Sequence, residues 1–305
     1  MTPRLSVVVV AFDMARELPR TVLSLLPPYQ RGMELGEVEI IIADNGSGVP
    51  VRREDFPADA PITVLRIEDG GVSPCRAINR ATGLARADHI AVAVDGARMA
   101  SPGLVSTALQ AAGVDPNAFV ATLGFHLGPK VQQVSVTEGY DRAVEDGLLA
   151  GIGWPDDGYR LFEISALGES YRHGVFRNPP ETTFFVMDRA RFQDIGGFDE
   201  GFVSLGGGLA NYDVMERALA DPAAPLILLV GEATFHQLHY GATTQAGGVR
   251  RAAPGGDASL GEHYAEEYRR LRDRSPGGFE RQPLLFGRLT HPDVARLFLP
   301  VSLSA

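Results

Sequence analysis

Residues 89–102 read His-Ile-Ala-Val-Ala-Val-Asp-Gly-Ala-Arg-Met-Ala-Ser-Pro, and the rest of the chain can be ordered around them. Ile90 to Val94 alternate β-branched and small apolar side chains, then stop at Asp95 and Gly96-Ala97. High β propensity ending abruptly at an acid and a glycine reads as a buried strand whose last carboxylate is exposed. In an open α/β sheet, ligands bind beyond the carboxyl ends of the strands. A carboxylate there is placed to hold a divalent cation and, through it, phosphates. The competing reading, an Asp that caps its own turn, stays open at this point.

Upstream and downstream, strand-like and helix-like segments alternate. Leu5 to Ala11 is a continuous apolar run, as in a strand covered on both faces. Glu17 to Leu26 has apolar residues at helical spacing and is stopped by Pro27-Pro28. Further strands are expected at Val38 to Ala43, Ile62 to Ile67 and Phe119 to Leu123, and helices at Pro74 to Ala87 and Gly103 to Ala112. This alternation predicts a mostly parallel, twisted sheet with right-handed crossovers and helices on both faces.

The stretch from Phe125 to Pro180 is irregular and aromatic, with Tyr140, Trp154, Tyr159, Phe162, Tyr171 and Phe176. Those rings could pack in the core or stack on a substrate. Beyond it are expected a strand at Glu181 to Met187 and a short helix at Arg189 to Ile195. A helix at Asn211 to Ala220, a buried strand at Leu226 to Val230 running on toward Thr234-Phe235-His236, and a helix at Gly261 to Arg274 follow. Tyr240 to Asp257, rich in Gly, Ala, Thr and Arg, reads as a mobile loop.

A formal charge of −10 over 305 residues argues against a nucleic-acid partner, which would call for a basic face. Cys75 is the single cysteine, so no internal disulfide can form, and a reducing, cytoplasmic setting is expected. No apolar run approaches the length that spans a bilayer. No G-x-G-x-x-G follows the first strand and no G-x-S-x-G is present, which excludes the usual dinucleotide and serine-hydrolase signatures.

Read in order, several pieces resemble the inverting glycosyltransferases of the family 2 type, which have the GT-A fold. SVVVVAFDMARELPRTVLSLL (residues 6–26) is similar to that family's opening strand and helix, and EIIIADNGSG (39–48) to its second strand. AINRATGLARADHIAVAVDGA (77–97) resembles the segment carrying the metal-binding Asp-x-Asp. FQDIGGFDEGF (192–202) resembles the acceptor-side Gly-Gly-Phe-Asp-Glu, and ATFHQLHYG (233–241) the late strand ending in a metal-binding His. Two positions depart from the pattern. The second Asp is Ala97, and the usual Glu-Asp pair before a helix is Ala210-Asn211, or is offset onto Tyr212-Asp213.

The resemblance implies a GT-A domain with a nucleotide-binding half (1–124), an acceptor-binding half (125–245) and a lid loop with a C-terminal helical extension (246–305). It implies transfer of a hexosyl-like group, with inversion, from a nucleoside-diphosphate sugar (a UDP-sugar favoured) to an acceptor hydroxyl. Mn²⁺ or Mg²⁺ would assist, and self-association is left open. Ala11, Phe12, Asp13 and Asp44 would form the base slot, Asp44 accepting from an imide N–H. Arg76 and Arg80, four apart on one helical face, would reach the diphosphate, beside Asp95, Gly96 and the loop residues Arg250 and Arg251. Asp95 with His239, or with His236, would hold the cation. On one regular strand the two histidines point to opposite faces, so both could ligate only if the chain turns between them. Candidates for the base that takes the acceptor's proton are Asp213, Asp199, Glu200 and Glu181. A catalytically weak sugar-nucleotide-binding protein of the same fold is the alternative that the two departures leave open.

Overall fold

The structure, a computed structural model, describes residues 2–239, 260–277, 281–289 and 292–299. The first strand, β1 (Leu5–Ala11), is buried along its whole length. Its residues alternate between two cores: Val8 and Val10 join one apolar cluster, Val7 and Val9 the other. Successive strand residues face opposite ways, so an unbroken apolar run is what a strand covered on both faces requires. Each buried valine contributes roughly 1.5–3 kcal/mol.

The chain continues through α1 (Leu18–Leu25), β2 (Val38–Asp44), β3 (Ile62–Arg66), α2 (Cys75–Thr82), β4 (His89–Ala93), β5 (Arg98–Ala100), α3 (Leu104–Ala112) and β6 (Phe119–Leu127). Then come α4 (Gln132–Ser135), α5 (Arg142–Gly151), β7 (Ser165–Leu167), β8 (Phe184–Asp188), α6 (Arg189–Asp194), α7 (Ala210–Ala218) and β9 (Leu226–His236). The last described elements are α8 (Leu260–Arg272), β10 (Leu284–Gly287) and α9 (Pro292–Phe298).

One sheet runs through the molecule in the order β10-β9-β6-β8-β4-β1-β2-β3, with β5 added to β9 and β7 to β6. The β1–β2, β1–β4, β2–β3, β6–β9 and β9–β10 pairs are parallel. β8 runs antiparallel to both β4 and β6. Leu18, Val22 and Leu25 of α1 and Leu104 and Val105 of α3 cover one face. Ile78 of α2, Phe192 of α6, Val214 of α7, Tyr268 of α8 and Phe298 of α9 cover the other. The expected α/β sheet with helices on both faces is therefore present.

The sequence does not announce α5, β5 or β10. α5 stands inside the segment read as irregular, and Asp141 caps it by accepting from Val144 N at 2.9 Å. β5 is too short for an alternation signal, and β10 adds a strand to a C-terminal region read as helical. β9 runs on past Val230 to His236, as expected, passing through Gly231. A β-carbon at Gly231 would meet Arg288 O at 1.7 Å, so only glycine lets the strand pass. Among the described residues, no helix is long and apolar enough to cross a membrane.

Candidate functional site

β4 ends at Ala93, and the chain turns at Asp95-Gly96-Ala97 before β5. The Asp95 carboxylate divides its two oxygens. Oδ1 caps its own turn by accepting from Ala97 N at 2.9 Å, while Oδ2 faces His236 and His239. Gly96 is dictated by crowding: a β-carbon there would lie 2.6 Å from Val10 O and 3.2 Å from Met14 Sδ. Gly96→Ala is therefore expected to cost about 1–3 kcal/mol and to shift Asp95, read as a fall in the urea midpoint and weaker Mn²⁺ binding in one titration.

His236 is the last residue of β9, and the chain leaves the strand there. Gln237 N donates to Ala97 O at 2.8 Å, and Gln132 Nε2 to His236 O at 2.8 Å. Leu238 N donates to Glu145 Oε2 at 2.8 Å, and Arg16 joins Glu145 to Glu17 and Asp146. These bonds bend residues 236–239 back over Asp95. The turn that the sequence could only pose as a condition is thus built by Gln237, Glu145 and Arg16, and both imidazoles reach the same carboxylate.

His236 Nε2 lies 2.9 Å and His239 Nε2 3.3 Å from Asp95 Oδ2, and the two Nε2 atoms are 2.9 Å apart. Two imidazole Nε2 atoms supply at most two protons for this triangle's three edges, so protons alone cannot satisfy it. Adjacent ligands about 2.1 Å from an octahedral cation lie about 3 Å apart, which these edges match. The three residues therefore fit a divalent cation, and they are the group of potential ligands that the described residues bring together.

Electrostatics agree. Burial pushes the Asp95 carboxyl up, but the facing imidazoles of His239 and His236 outweigh it and hold it well below the usual carboxylate range. Burial and then the Arg98 charge bring His236 down to about 4, leaving its ring neutral near pH 7 with a lone pair to offer. For His239, Asp95 outweighs burial and the shift is upward. Burial and the charges of His236 and Arg98 take the adjacent His126 down to about 2.

Ala97, at the position of the absent second acid, is fully buried in the same cluster as Leu18 and Leu104. Ala11 is buried, Phe12 is half exposed, and Asp13 has a positive φ of 52°. Asp13 Oδ1 accepts from Gly48 N at 2.7 Å, which ties this bend to the end of β2. Asp44 is buried, and its carboxylate accepts from Ser47 N, Val51 N and Arg66 Nη1 at 2.8–3.0 Å. The Asx-turn role fully occupies the loop side of that carboxylate. Arg76 pairs with Asp69, and Arg80 is exposed on the same helix. Arg250 and Arg251 lie outside the described residues.

The four base candidates fall in two places. Asp213 is buried, with Arg217 Nε 2.8 Å and Arg272 Nη2 2.8 Å from Oδ2 and Arg272 Nε on Oδ1. Asp199 pairs with Arg272 Nη1 at 2.8 Å, and Glu200 accepts from Asn79 Nδ2 at 3.0 Å. These three belong to a network that ties α7, α8 and the 198–202 loop together. Glu181 is apart from it. Val94 N donates to Thr183 O at 3.3 Å, so Glu181 lies two residues further along the same sheet edge where Asp95 emerges. Glu181 is half-buried, and its carboxylate bonds to no other described side chain.

Most rings of the aromatic segment pack inside. Phe162 contacts Phe125, Phe235 and Phe298, Trp154 packs on Tyr29, and Tyr159 donates to the buried Glu232 at 2.7 Å. Phe176 is exposed. The sequence reading missed Arg98 and His126 beside Asp95, and Glu145 and Arg16 behind the histidine turn. Arg98, three residues after Asp95, carried a signal as the first charge following a strand-ending turn.

No family profile and no curated protein sequence matches this chain. Its structure is similar to solved structures of S. aureus TarS. One aligns over 88% of this chain and 42% of that chain, with a TM-score of 0.52 and 13% identity. A second, TarS 1–349 in complex with UDP, aligns over 89% of this chain and 72% of that one, with a TM-score of 0.51 and 15% identity. The chain thus spans about two-fifths of the length of the first. At such identities the likeness concerns architecture, and the architecture is that of the GT-A, nucleotide-sugar transferase-like fold.

Proposed function

We propose that the protein is a glycosyltransferase that binds a nucleoside-diphosphate sugar beside Asp95 and transfers the sugar, with inversion, to an acceptor hydroxyl. The observation that carries this reading is the Asp95–His236–His239 triangle, set at the carboxyl edge of a GT-A-like sheet where ligands of open α/β sheets bind. The UDP held by a TarS structure of the same fold supports a uridine nucleotide as the first ligand to test.

Asp95, His236 and His239 would hold Mn²⁺ or Mg²⁺, which when bound offsets the negative charge of the diphosphate and of the departing nucleotide. Phe12 and Asp13 would border the slot for the base, with Arg76 from the first turn of α2 and Arg80 from its last turn reaching toward the diphosphate. In the transfer, the acceptor oxygen bonds to the anomeric carbon as the bond to the phosphate oxygen breaks. The nucleoside diphosphate leaves with that electron pair, and the acceptor's proton passes to a carboxylate. We assign that role to Glu181, because Asp213, Asp199 and Glu200 are engaged by Arg217, Arg272 and Asn79.

The alternative, a catalytically weak sugar-nucleotide-binding protein, is favoured by Ala97, buried in the core, and by Ala210-Asn211 at the position of the acidic pair. Calorimetric titration of UDP, GDP and dTDP, each with Mn²⁺ and with EDTA, tests the reading. UDP is expected to bind tightest, and more tightly with Mn²⁺. Absence of binding by all three would overturn it. Binding without hydrolysis or transfer from any nucleotide sugar, Glu181→Gln having no effect, would select the alternative.

A further inference from the structure

We propose that Arg98 is a diphosphate-binding residue, supplying from the protein the charge compensation of the nucleotide site; this rests on the reading above. Arg98 opens β5 and sits opposite His236 in the strand pair. Its side chain is only 12% exposed. Nε is fully buried and donates to nothing, and the guanidinium makes no hydrogen bond to any described residue. Among the described residues its one charge partner is Asp95, with Nε 3.9 Å from Oδ2, beyond hydrogen-bond length. Nη1 lies toward Gly124, where a β-carbon would be 3.5 Å from it, and Thr183 and Tyr171 line the same spot.

A guanidinium carries five N–H donors in a fixed fork. Withdrawing them from water without acceptors is costly, and buried polar groups in folded proteins are nearly always satisfied. The neighbouring groups do not supply the acceptors. Asp95 is turned toward His236 and His239, and His126 Nδ1 is occupied by Gln132 N at 2.9 Å. What the site lacks is a group rich in anionic oxygens, and phosphate matches the fork by two parallel bonds.

Charge points the same way. Asp95 and Arg98 cancel, so the charge of about +2 that a bound divalent cation brings is left to face the two negative charges of a nucleotide-sugar diphosphate. A second acid at position 97 would reduce that balance, and the Ala97 side chain is buried in the core instead.

The test uses the whole chain and the variant Arg98→Met, of similar length and without charge, titrated with UDP and with uridine in Mn²⁺ and in EDTA. The expected loss of UDP affinity is about 30-fold, the worth of a charge-assisted hydrogen-bonded pair, with uridine binding changed by less than about threefold. The unliganded variant is expected to melt at or above the wild-type temperature, because it loses a buried charge that lacks hydrogen bonds. UDP affinity unchanged in the variant overturns the assignment. A lower melting point with parallel losses for UDP and uridine also overturns it, since that is a structural role. Failure of the wild-type protein to bind UDP, GDP or dTDP overturns the underlying functional reading itself.

Discussion

Asp95→Ala is expected to weaken Mn²⁺ binding about 100-fold or more, because it removes the only anionic member of a three-ligand set. The two imidazoles that remain are neutral donors held 2.9 Å apart, and with Arg98 nearby the cation would meet net positive charge. Two variants separate loss of a ligand from loss of the fold. His239→Ala removes a ligand from outside the strand and is expected to give a smaller loss of affinity with little change in stability. Asp95→Asn keeps an Oδ1 that can accept from Ala97 N, so the turn survives while the anionic oxygen is lost. Titration calorimetry with Mn²⁺ reads all three. Equal affinity in Asp95→Asn and wild type would place the cation elsewhere. If the protein is an enzyme, Asp95→Asn also loses turnover; if it is a binding protein, only affinity falls.

Asp213→Ala is expected to destabilise the fold by about 3–5 kcal/mol, the usual result of removing one partner from a buried ion pair. Asp213 is 1% exposed and accepts from Arg217 and Arg272 at once, and Arg272 carries on to Asp199. Without the carboxylate, two guanidinium groups lose their shared acceptor between α7 and α8. Asp199→Ala should cost less, because Asp199 is 35% exposed and water can replace it. The double variant Asp213→Ala/Arg272→Met should recover part of the loss, which a urea-denaturation cycle would read as coupling. Full stability in Asp213→Ala with turnover abolished would instead return the base role to Asp213.

The fold was legible because its signals are local. An unbroken apolar run at Leu5–Ala11 has no use except between two covered faces, and a strand that stops just before Asp95 needed no distant information. β5 and β7, with three residues each, are too short to show a period, and α5 was diluted by Gly147 in mid-helix despite its Asp141 cap. The candidate site was legible in its parts and not in their arrangement. His236 and His239 carry no local sign that they share a target; the bend that unites them depends on Gln237 meeting Ala97 and on Glu145 meeting Leu238. Asp213 looked like an open carboxylate at a helix start because Arg272, which closes it off, is 59 residues away in sequence.

The most direct test of the central claim is a crystal structure of the protein with Mn²⁺ and UDP, located by the anomalous signal of manganese. The account predicts a peak about 2.1–2.3 Å from Asp95 Oδ2, His236 Nε2 and His239 Nε2, with the diphosphate beside it. A manganese peak held by other residues, or UDP bound away from the end of β4, would contradict it.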